Sequence, residues 1–318
     1  MIQRMPEIKH AVLTRRDFVA RIIGVLWIGG GDGGALAGTG HSRRARPGTG
    51  ATAPEIRVAM RSRSLAPGEI VVLTMTVPGP ADRVRLEAFN EEIAAFRTGA
   101  RTWRAIIGID LDVLPGLHTV GIDADDHWKA SRELLVKPHD FPTRMLSVDD
   151  AFVNPPPEQQ ARIEEEAARL TAVWSASAPE RLWAGPFVRP VPHRANSRFG
   201  SRSIFNGEPR NPHGGADFLS PRGTRVRAPN AGHVALAGPL YFSGNTVIID
   251  HGLGLFSTLA HLSAIARAEG DLVAAGTIVG RVGATGRVTG PHLHWAVRAN
   301  GARVDPLALL SLLGRGNR

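Results

Sequence analysis

The amino-acid sequence predicts a mainly β protein of roughly two domains, and three observations support this. The chain has 318 residues, against about 150 residues for an ordinary domain. Its 36 Gly and 23 Pro outnumber its 11 Phe, 6 Trp and single Tyr, and such a composition favours many short strands joined by turns. Apolar residues make up 43% of the chain and charged residues 21%, a globular mixture that disfavours wholesale disorder.

Residues 1–37 are predicted to be an export signal of the twin-arginine type. Arg15 and Arg16 precede Phe18 and a short apolar stretch, 22–28, an arrangement typical of such signals. Ala35-Leu36-Ala37 offers a small-residue cleavage site. We therefore expect an exported protein, periplasmic or extracellular. No apolar run reaches about 18 residues, so we expect no stable membrane span in the mature chain.

The net charge, the absence of cysteine and the absence of certain motifs exclude several classes of binding site and enzyme. The formal net charge is +9, and the predicted signal holds only five basic and three acidic side chains, so the remaining chain is basic. Such a chain suits nucleic acid, lipid headgroups or an acidic wall polymer, and the sequence contains no nucleic-acid-binding motif. The absence of cysteine excludes disulfides, thiolate zinc sites and a cysteine nucleophile. Neither a G-x-S-x-G elbow nor an H-E-x-x-H string is present, which argues against serine hydrolases and zincins.

Two segments follow the signal. Residues 38–55 are rich in Gly, Thr, Ser, Arg, Ala and Pro and are predicted to be a linker. Residues 56–137 carry about six short β-type runs separated by turns, which predicts an Ig-like β-sandwich. The runs are Ile56–Met60, Ile70–Val77, Val84–Phe89, Thr102–Leu111, Leu117–Ile122 and Glu133–Val136.

Residues 138–184 are predicted to be a helical connector. Ile163, Ala167, Leu170 and Trp174 are spaced by 4, 3 and 4 residues and would lie on one helix face. Pro157 suits the first turn of such a helix. We expect a spacer helix that packs this stripe on a neighbouring domain.

From residue 185 to 318, short strands and Gly-rich turns return, and seven of the twelve histidines lie here. At the end, Asp305-Pro306 offers an N-cap and a first-turn proline for a short helix, Leu307–Leu313, which Gly314 would close.

The chemistry is predicted to lie in two short motifs of this last segment. His292-Leu293-His294 would place two imidazoles on one face of a strand. In His213-Gly214-Gly215-Ala216-Asp217, small residues let the backbone curve so that both end side chains converge. Two histidines and one carboxylate are typical ligands of catalytic zinc, which keeps its fourth position for water. The metal lowers the pKa of that water and polarises a carbonyl.

The two motifs belong to an ordered set of short strings. The set is Ser197–Arg202, Pro212–Phe218, Gly223–Ala228, Asn245–Gly252, Leu259–Leu262, Gly270–Val273, Gly283–Gly286, Thr289–Trp295 and Val304–Pro306. In order and spacing, these strings closely resemble the LytM/lysostaphin-type zinc metallopeptidases, peptidase family M23, over about residues 185–310. The sandwich and connector also resemble the amino-terminal region of a bacterial branch of that family.

This resemblance implies a fold, a metal and roles for five residues. It implies a LytM-type antiparallel β-sheet domain with one Zn²⁺, held by His213, Asp217 and His294. His261 and His292 would flank the water as general base and oxyanion stabiliser, and the motif does not say which does which. Imidazole suits both tasks because it titrates near working pH.

Two departures affect the predicted substrate contacts. Many family members have Tyr two residues before the equivalent of His261, where this chain has Leu259. Some members use a Tyr upstream of the first ligand as an oxyanion helper. The one Tyr here is Tyr241, so any phenol that assists the oxyanion must be Tyr241. If no phenol assists, Arg202, Asn206 or a histidine must stabilise the oxyanion.

The implied function is a zinc endopeptidase that hydrolyses peptide cross-links or stem peptides of bacterial peptidoglycan. The alternative is a catalytically silent LytM-fold regulator or wall-binding protein. We favour the enzyme, because silent relatives usually lack ligands and all five key positions are filled here. Peptidoglycan is the expected partner, nucleic acid is not, and protein partners stay open.

Overall fold

The computed structural model describes residues 55–146, 155–196, 199–209 and 211–314. The predicted export signal lies outside the described residues, as does the linker as far as residue 54. The described residues form one compact unit. The mainly β architecture expected from the sequence is confirmed.

The amino-terminal half contains two four-stranded antiparallel sheets. Their strand orders are β1-β2-β6-β5 and β4-β3-β7-β8. Alternating apolar side chains from the two sheets, among them Leu73, Leu86 and Ile107, form a buried core between them, as a β-sandwich requires. The strands are β1 Arg57–Ser62, β2 Ile70–Thr76, β3 Val84–Ala88, β4 Glu91–Ala94, β5 Phe96–Arg97, β6 Thr102–Gly108, β7 Gly116–Ala124 and β8 Trp128–Val136.

All six predicted strands of this half are present, and β4 and β5 are additional. The sequence pattern hid them because their run, 91–97, mixes two glutamates with apolar residues. A tight turn creates β4: Phe89 and Asn90 both adopt positive φ, 53° and 64°. This is the backbone geometry of a two-residue hairpin turn, and Asn is one of the few residues that adopts it readily.

The connector contains a 3₁₀ turn, Pro157–Gln159, followed by helix α1, Gln160–Ser175. Pro157 occupies the first position of that turn, as predicted. The packed face differs from the predicted stripe: Leu170 and Trp174 do pack, together with Val173, whereas Ala167 is exposed. The helix is rotated because Glu166 turns towards the protein, where its Oε2 accepts a hydrogen bond of 2.7 Å from the Tyr241 backbone N–H.

A ten-stranded sheet dominates the carboxyl-terminal half. Its main order is β10-β13-β20-β17-β16-β15-β18, with β14 paired to β19, β19 to β17 and β21 to β20. Its strands are β10 Ala195–Asn196, β13 Gly215–Phe218, β14 Arg225–Arg227, β15 Gly232–Leu240, β16 Gly244–Asp250, β17 Leu255–Ile265, β18 Leu272–Val273, β19 Ile278–Val282, β20 Leu293–Ala299 and β21 Ala302–Val304. A small third sheet has the order β12-β11-β9, and β9 runs parallel to β11. It is formed by β9 Thr143–Leu146, β11 Arg202–Phe205 and β12 Glu208–Pro209.

The chain ends in helix α2, Pro306–Leu313, with the predicted N-cap. The Asp305 carboxylate accepts a hydrogen bond of 2.9 Å from the Leu307 backbone N–H, and Pro306 begins the helix. Leu309 and Leu312 on its inner face are buried. Within the described ranges, no helix is long and apolar enough to cross a membrane.

The two halves share a hydrophobic core. Ile70, Val72 and Ile106, on the outer face of the β2–β6 pair, pack in one cluster with Trp295 and Leu309 of the carboxyl-terminal half. Strand β2 is therefore buried on both faces, which explains its nearly continuous apolar sequence.

Candidate metal centre

Three neighbouring strands bring the predicted site residues together. Asp217 on β13 pairs directly with His294 on β20, and His294 pairs on its other side with Ala260 on β17. His213 lies two residues before β13, and His292 lies immediately before β20, where it bridges Gly283. His261 follows Ala260. The site thus sits on three adjacent strands inside the large sheet, β13, β20 and β17.

Three donor atoms converge on one point. His213 Nε2 lies 3.0 Å from His294 Nδ1 and 3.1 Å from Asp217 Oδ1. His294 Nδ1 lies 2.9 Å from the same carboxylate oxygen. These residues form the one group of three potential metal ligands found among the described residues.

This donor set fits a zinc ion. Ligand atoms of a tetrahedral zinc site with bonds of about 2.0–2.1 Å lie about 3.3 Å apart, close to the spacing observed here. Two imidazoles and one carboxylate also match the ligand types of catalytic zinc sites. The side chains of His213, Asp217 and His294 keep 18% to 25% of their surface accessible, so solvent can reach the point where they meet.

Gly215 explains why small residues separate the first two ligands. A Cβ atom at this position would lie 2.7 Å from His294 Cε1 and 2.5 Å from the Trp295 carbonyl oxygen. No side chain fits into that space, so glycine allows β13 to pass directly beneath the His294 ring. The need for a small residue at position 215 therefore comes from close packing against β20.

His261 and His292 lie beside this triad, and their ring centres are 4.9 Å apart. His292 Nε2 is 3.8 Å from Asp217 Oδ1, and the His261 ring centre is 5.9 Å from that of His294. His261 Nδ1 donates to the Thr285 carbonyl at 3.0 Å, and His292 Nδ1 donates to the Gly290 carbonyl at 2.9 Å. Since a carbonyl only accepts, each neutral ring carries its proton on Nδ1 and an unshared pair on Nε2.

A β-bulge sets the direction of His261. The pairing of β16 with β17 shifts register between Leu259 and Leu262, and His261 adopts a left-handed φ of 63°. Its backbone N–H donates to the Ser243 carbonyl at 2.9 Å instead of continuing the ladder. Bulges commonly redirect a side chain beside an active site, and a non-glycine residue in this conformation stores strain of order 1 kcal/mol or more.

Burial and neighbouring charges shift the pKa values of the site residues. Burial, followed by repulsion from His294, lowers the pKa of His261 to about 4. Burial also lowers the pKa of His294. Burial opposes ionisation of Asp217, but hydrogen bonds from His213 and His294 outweigh it, so its pKa lies well below the usual range. At neutral pH the site therefore presents a carboxylate at Asp217 and an unprotonated imidazole at His294, the forms that bind a metal, and His261 is also unprotonated.

Arg202 and Asn206 lie on the small sheet beside the first ligand. His213 N–H donates to the Ser201 carbonyl at 2.9 Å, so Arg202 follows directly from a residue paired with His213. Asn206 is at the tip of the β11–β12 turn, and both side chains are exposed.

Tyr241 lies in the turn between β15 and β16. Its ring packs edge-on against Phe242, and the Arg162 guanidinium of α1 lies 5.8 Å from its centre. The contacts of this phenol are thus with its neighbour and with the connector helix.

The sequence did not predict three backbone carbonyls that orient His261 and His292, those of Ser243, Thr285 and Gly290. They act through backbone atoms, whose direction leaves no residue-type signal. The strings Gly283–Gly286 and Thr289–Trp295 did mark two of the loops that carry them.

Comparisons with known proteins agree with this geometry. Residues 211–306 match the family described as Peptidase family M23. DD-carboxypeptidase/endopeptidase Mpg of Neisseria meningitidis serogroup B is 45% identical over 97 residues, 30% of this chain and 22% of that protein. Peptidoglycan DD-endopeptidase ShyA of Vibrio cholerae serotype O1 is 40% identical over 96 residues, with the same coverage. The matches therefore span about a fifth of these curated relatives.

A solved structure extends the similarity beyond the metal centre. A crystal structure of a Pseudomonas aeruginosa protein described as a peptidase M23 is 33% identical to this chain, with a TM-score of 0.64. The similarity covers 78% of this chain and 95% of the other, so it includes residues outside the segment 211–306.

Proposed function

Because the chain belongs to peptidase family M23, we propose that it is a zinc-dependent endopeptidase that hydrolyses peptide cross-links or stem peptides of bacterial peptidoglycan. The observation that carries the proposal is the convergence of one carboxylate and two imidazoles within hydrogen-bond distance of one another. Relatives named peptidoglycan DD-endopeptidase support the substrate class.

His213, Asp217 and His294 would hold one zinc ion per catalytic domain. Bound there, zinc would supply Lewis-acid chemistry, lowering the pKa of water and polarising the scissile carbonyl. Asp217 also offsets positive charge, since its carboxylate is the one anionic donor of the triad.

His261 and His292 would move protons and stabilise charge. Each presents an unshared pair on Nε2, because its Nδ1–H is held by a backbone carbonyl. One imidazole takes a proton from the attacking water and delivers it to the leaving amine, while the other, when protonated on Nε2, donates from that N–H to the oxyanion. The left-handed bulge at His261 holds that ring in place before substrate arrives. Arg202, Asn206 and Tyr241 remain predicted substrate contacts, and Arg202 is the one next to a residue paired with His213.

The proposed setting is outside the cytoplasm. We assign residues 1–37 to a twin-arginine export signal, 38–55 to a linker, 56–137 to the sandwich domain, 138–184 to the connector and 185–318 to the peptidase domain. A basic exported protein suits an acidic wall polymer. Peptidoglycan would thus be both substrate and location.

Metal analysis and product analysis test this proposal together. We expect purified protein to contain about one zinc per chain and to release cleaved peptides from purified sacculi, identified by mass spectrometry. A chelator should abolish cleavage, and added zinc should restore it. Stoichiometric zinc without cleavage of any wall peptide would instead indicate the catalytically silent regulator.

A further inference from the structure

An arginine-lined cleft lies outside the metal centre. It has a volume of about 480 Å³ and is lined by Arg189, Arg225 and Arg227, together with Thr224 and the prolines of the segment 190–192. We call it the arginine cleft. All three arginines are exposed at its surface.

Strand pairing holds these cations together. Arg227 N–H donates to the Pro190 carbonyl at 2.9 Å, so the segment carrying Arg189 runs along β14. On the other side of β14, Arg225 lies directly opposite Arg281 of β19. Like charges directly opposite in an antiparallel pair repel each other and destabilise the sheet. Val226, between the two β14 arginines, is fully buried, which fixes the outward direction of its neighbours.

Within the described residues, none of these arginines forms an ion pair with an acidic side chain. The three segments that form the cleft and its border, 185–196, 221–228 and 276–283, contain neither Asp nor Glu. In the described part of the chain, the ion pairs of arginine are made elsewhere, for example by Arg63 and Arg303. Arg227 and Arg281 are each anchored to a backbone carbonyl, Gly276 and Gly223 respectively. These bonds fix the guanidinium groups without neutralising them.

The arginine cleft is connected to the metal centre through two chain segments. The segment that carries Arg189 continues into β10, where Asn196 pairs with Asp217. Asn196 is seven positions after Arg189, which is at most about 25 Å of extended chain. Strand β19 ends at Val282, one residue before Gly283, which bridges His292. A polymer held at the metal centre can therefore reach the cleft with a neighbouring repeat.

We propose that the arginine cleft docks carboxylates of peptidoglycan stem peptides adjacent to the one being cleaved. The proposal rests on the proposed function for its choice of polymer. Guanidinium groups bind carboxylates through charge-assisted, often bidentate hydrogen bonds, and a cleft of this size admits a peptide end. The wall polymer repeats such carboxylates along its length, so the cleft holds the enzyme on the sacculus between cuts.

Sedimentation with purified sacculi on ice tests the proposal using the full chain. The test variant is R189Q/R225Q, since neither side chain is among those anchored to a carbonyl. The matched control is R57Q/R61Q, which removes the same charge from exposed positions on β1. We expect the test variant to bind sacculi roughly tenfold more weakly, about what two exposed ionic contacts contribute, and the control to bind like the wild type. Wild-type binding should weaken as salt rises, and the variant should respond less.

Chemical modification and vesicles identify the ligand. Sacculi whose carboxylates have been converted to amides should bind wild type and R189Q/R225Q equally weakly. Vesicles containing phosphatidylglycerol should bind both proteins to the same small extent. Equal binding of the two proteins to unmodified sacculi would overturn the proposal, as would an arginine-dependent preference for the vesicles, which would assign the cleft to a membrane.

Cleavage assays separate this proposal from the proposed function. We expect R189Q/R225Q to cleave a short soluble cross-linked muropeptide within about twofold of the wild-type rate, while its cleavage of intact sacculi falls several-fold. If wild type cleaved no muropeptide yet showed arginine-dependent binding to sacculi, the peptidase assignment would fail and the cleft would stand. If cleavage were normal and sacculus binding unaffected by the substitutions, the cleft alone would fail.

Discussion

At the residue scale, the five polar side chains of the candidate metal centre divide into two groups by what their ring or carboxylate atoms face. His213, Asp217 and His294 face one another, whereas His261 and His292 are held by backbone carbonyls and present Nε2. Substitution of a triad member by Ala should therefore remove zinc and activity together. His261→Ala and His292→Ala should keep most of the zinc and slow cleavage by about 10² to 10⁴, the usual contribution of general acid–base help.

Zinc content and the rate of muropeptide cleavage, measured on the same preparations, check this division. A His261→Ala enzyme with a rate within about twofold of wild type would remove that residue from the mechanism. The exposed His127 on the sandwich is a suitable control, since His127→Ala should alter neither quantity.

The fully buried His251 gives the protein a pH-dependent stability. Its Nδ1 lies 2.7 Å from the Ala231 carbonyl and its Nε2 lies 2.9 Å from Ser257 Oγ, and burial lowers its pKa to about 4. The unfolded chain binds a proton there near pH 6.5, so between pH 6.5 and 4 the unfolded state binds more protons. The free energy of unfolding should fall as pH decreases through this window, by about 1 kcal/mol per pH unit for this group.

Urea unfolding at several pH values, with chelator present, measures this dependence. His251→Gln should lower stability at pH 7 and flatten the decline below pH 6.5, whereas His127→Gln should leave the curve unchanged. An unaltered slope in His251→Gln would show that other groups cause the acid sensitivity.

The sequence was sufficient to predict which residues form the candidate metal centre, but not the directions of their side chains. His213, Asp217 and His294 stand in a motif whose spacing brings their donor atoms together, so residue types and register could be read directly. The left-handed conformation of His261 could not be read from the sequence. It arises from a register shift in the pairing of β16 with β17, and residue types do not encode such a shift. Tyr241 shows the same limit: its role as a substrate contact stays a prediction, and the packing of its ring near Arg162 of α1 could not be read from its residue type.

At the element scale, helix α1 is attached to the sheet by few but specific contacts. Leu170, Val173 and Trp174 pack on a cluster that includes Leu236 and Phe256, and Trp174 meets Phe256 edge-on at 5.1 Å between ring centres. Trp174→Ala should lower the free energy of unfolding by about 2 kcal/mol, since it removes a half-buried aromatic ring and leaves a gap.

Chemical denaturation detects this loss, and Glu165→Ala on the exposed face of α1 is the control, with an expected change below about 0.5 kcal/mol. Equal stability of the two variants would mean that α1 lies on the sheet without contributing to it. The helix itself was predictable from its 3.6-residue period. Its exact rotation was not, because a hydrogen bond from Tyr241 draws the polar Glu166 inward.

At the scale of the whole molecule, the sandwich and the large sheet meet at a close backbone approach. A Cβ atom on Gly108 would lie 2.7 Å from Ala302 Cβ and 2.8 Å from the Ala299 carbonyl oxygen. Ion pairs Arg63–Asp305 at 2.6 Å and Arg303–Asp110 at 2.5 Å border the same junction. Gly108→Ala should therefore destabilise the protein by about 1–3 kcal/mol through overpacking.

Because the core is shared, the wild-type chain should unfold in one cooperative transition seen equally by tryptophan fluorescence and circular dichroism. Gly108→Ala should lower its midpoint without splitting it. Gly121→Ala is the control: its new Cβ would have no neighbour closer than 3.9 Å, so its midpoint should stay near that of wild type. Two separate transitions in the wild type would contradict the shared core.

The double burial of β2 also bears on how such a protein can change over generations. Moving the carboxyl-terminal half alone into a new gene would uncover the part of the shared core that Ile70, Val72 and Ile106 cover here. The separated half would associate with other copies of itself unless the new protein supplied another apolar surface to cover it. Inheritance should therefore keep the two halves together, and a natural descendant that lost the sandwich should carry polar replacements on the surface it had covered.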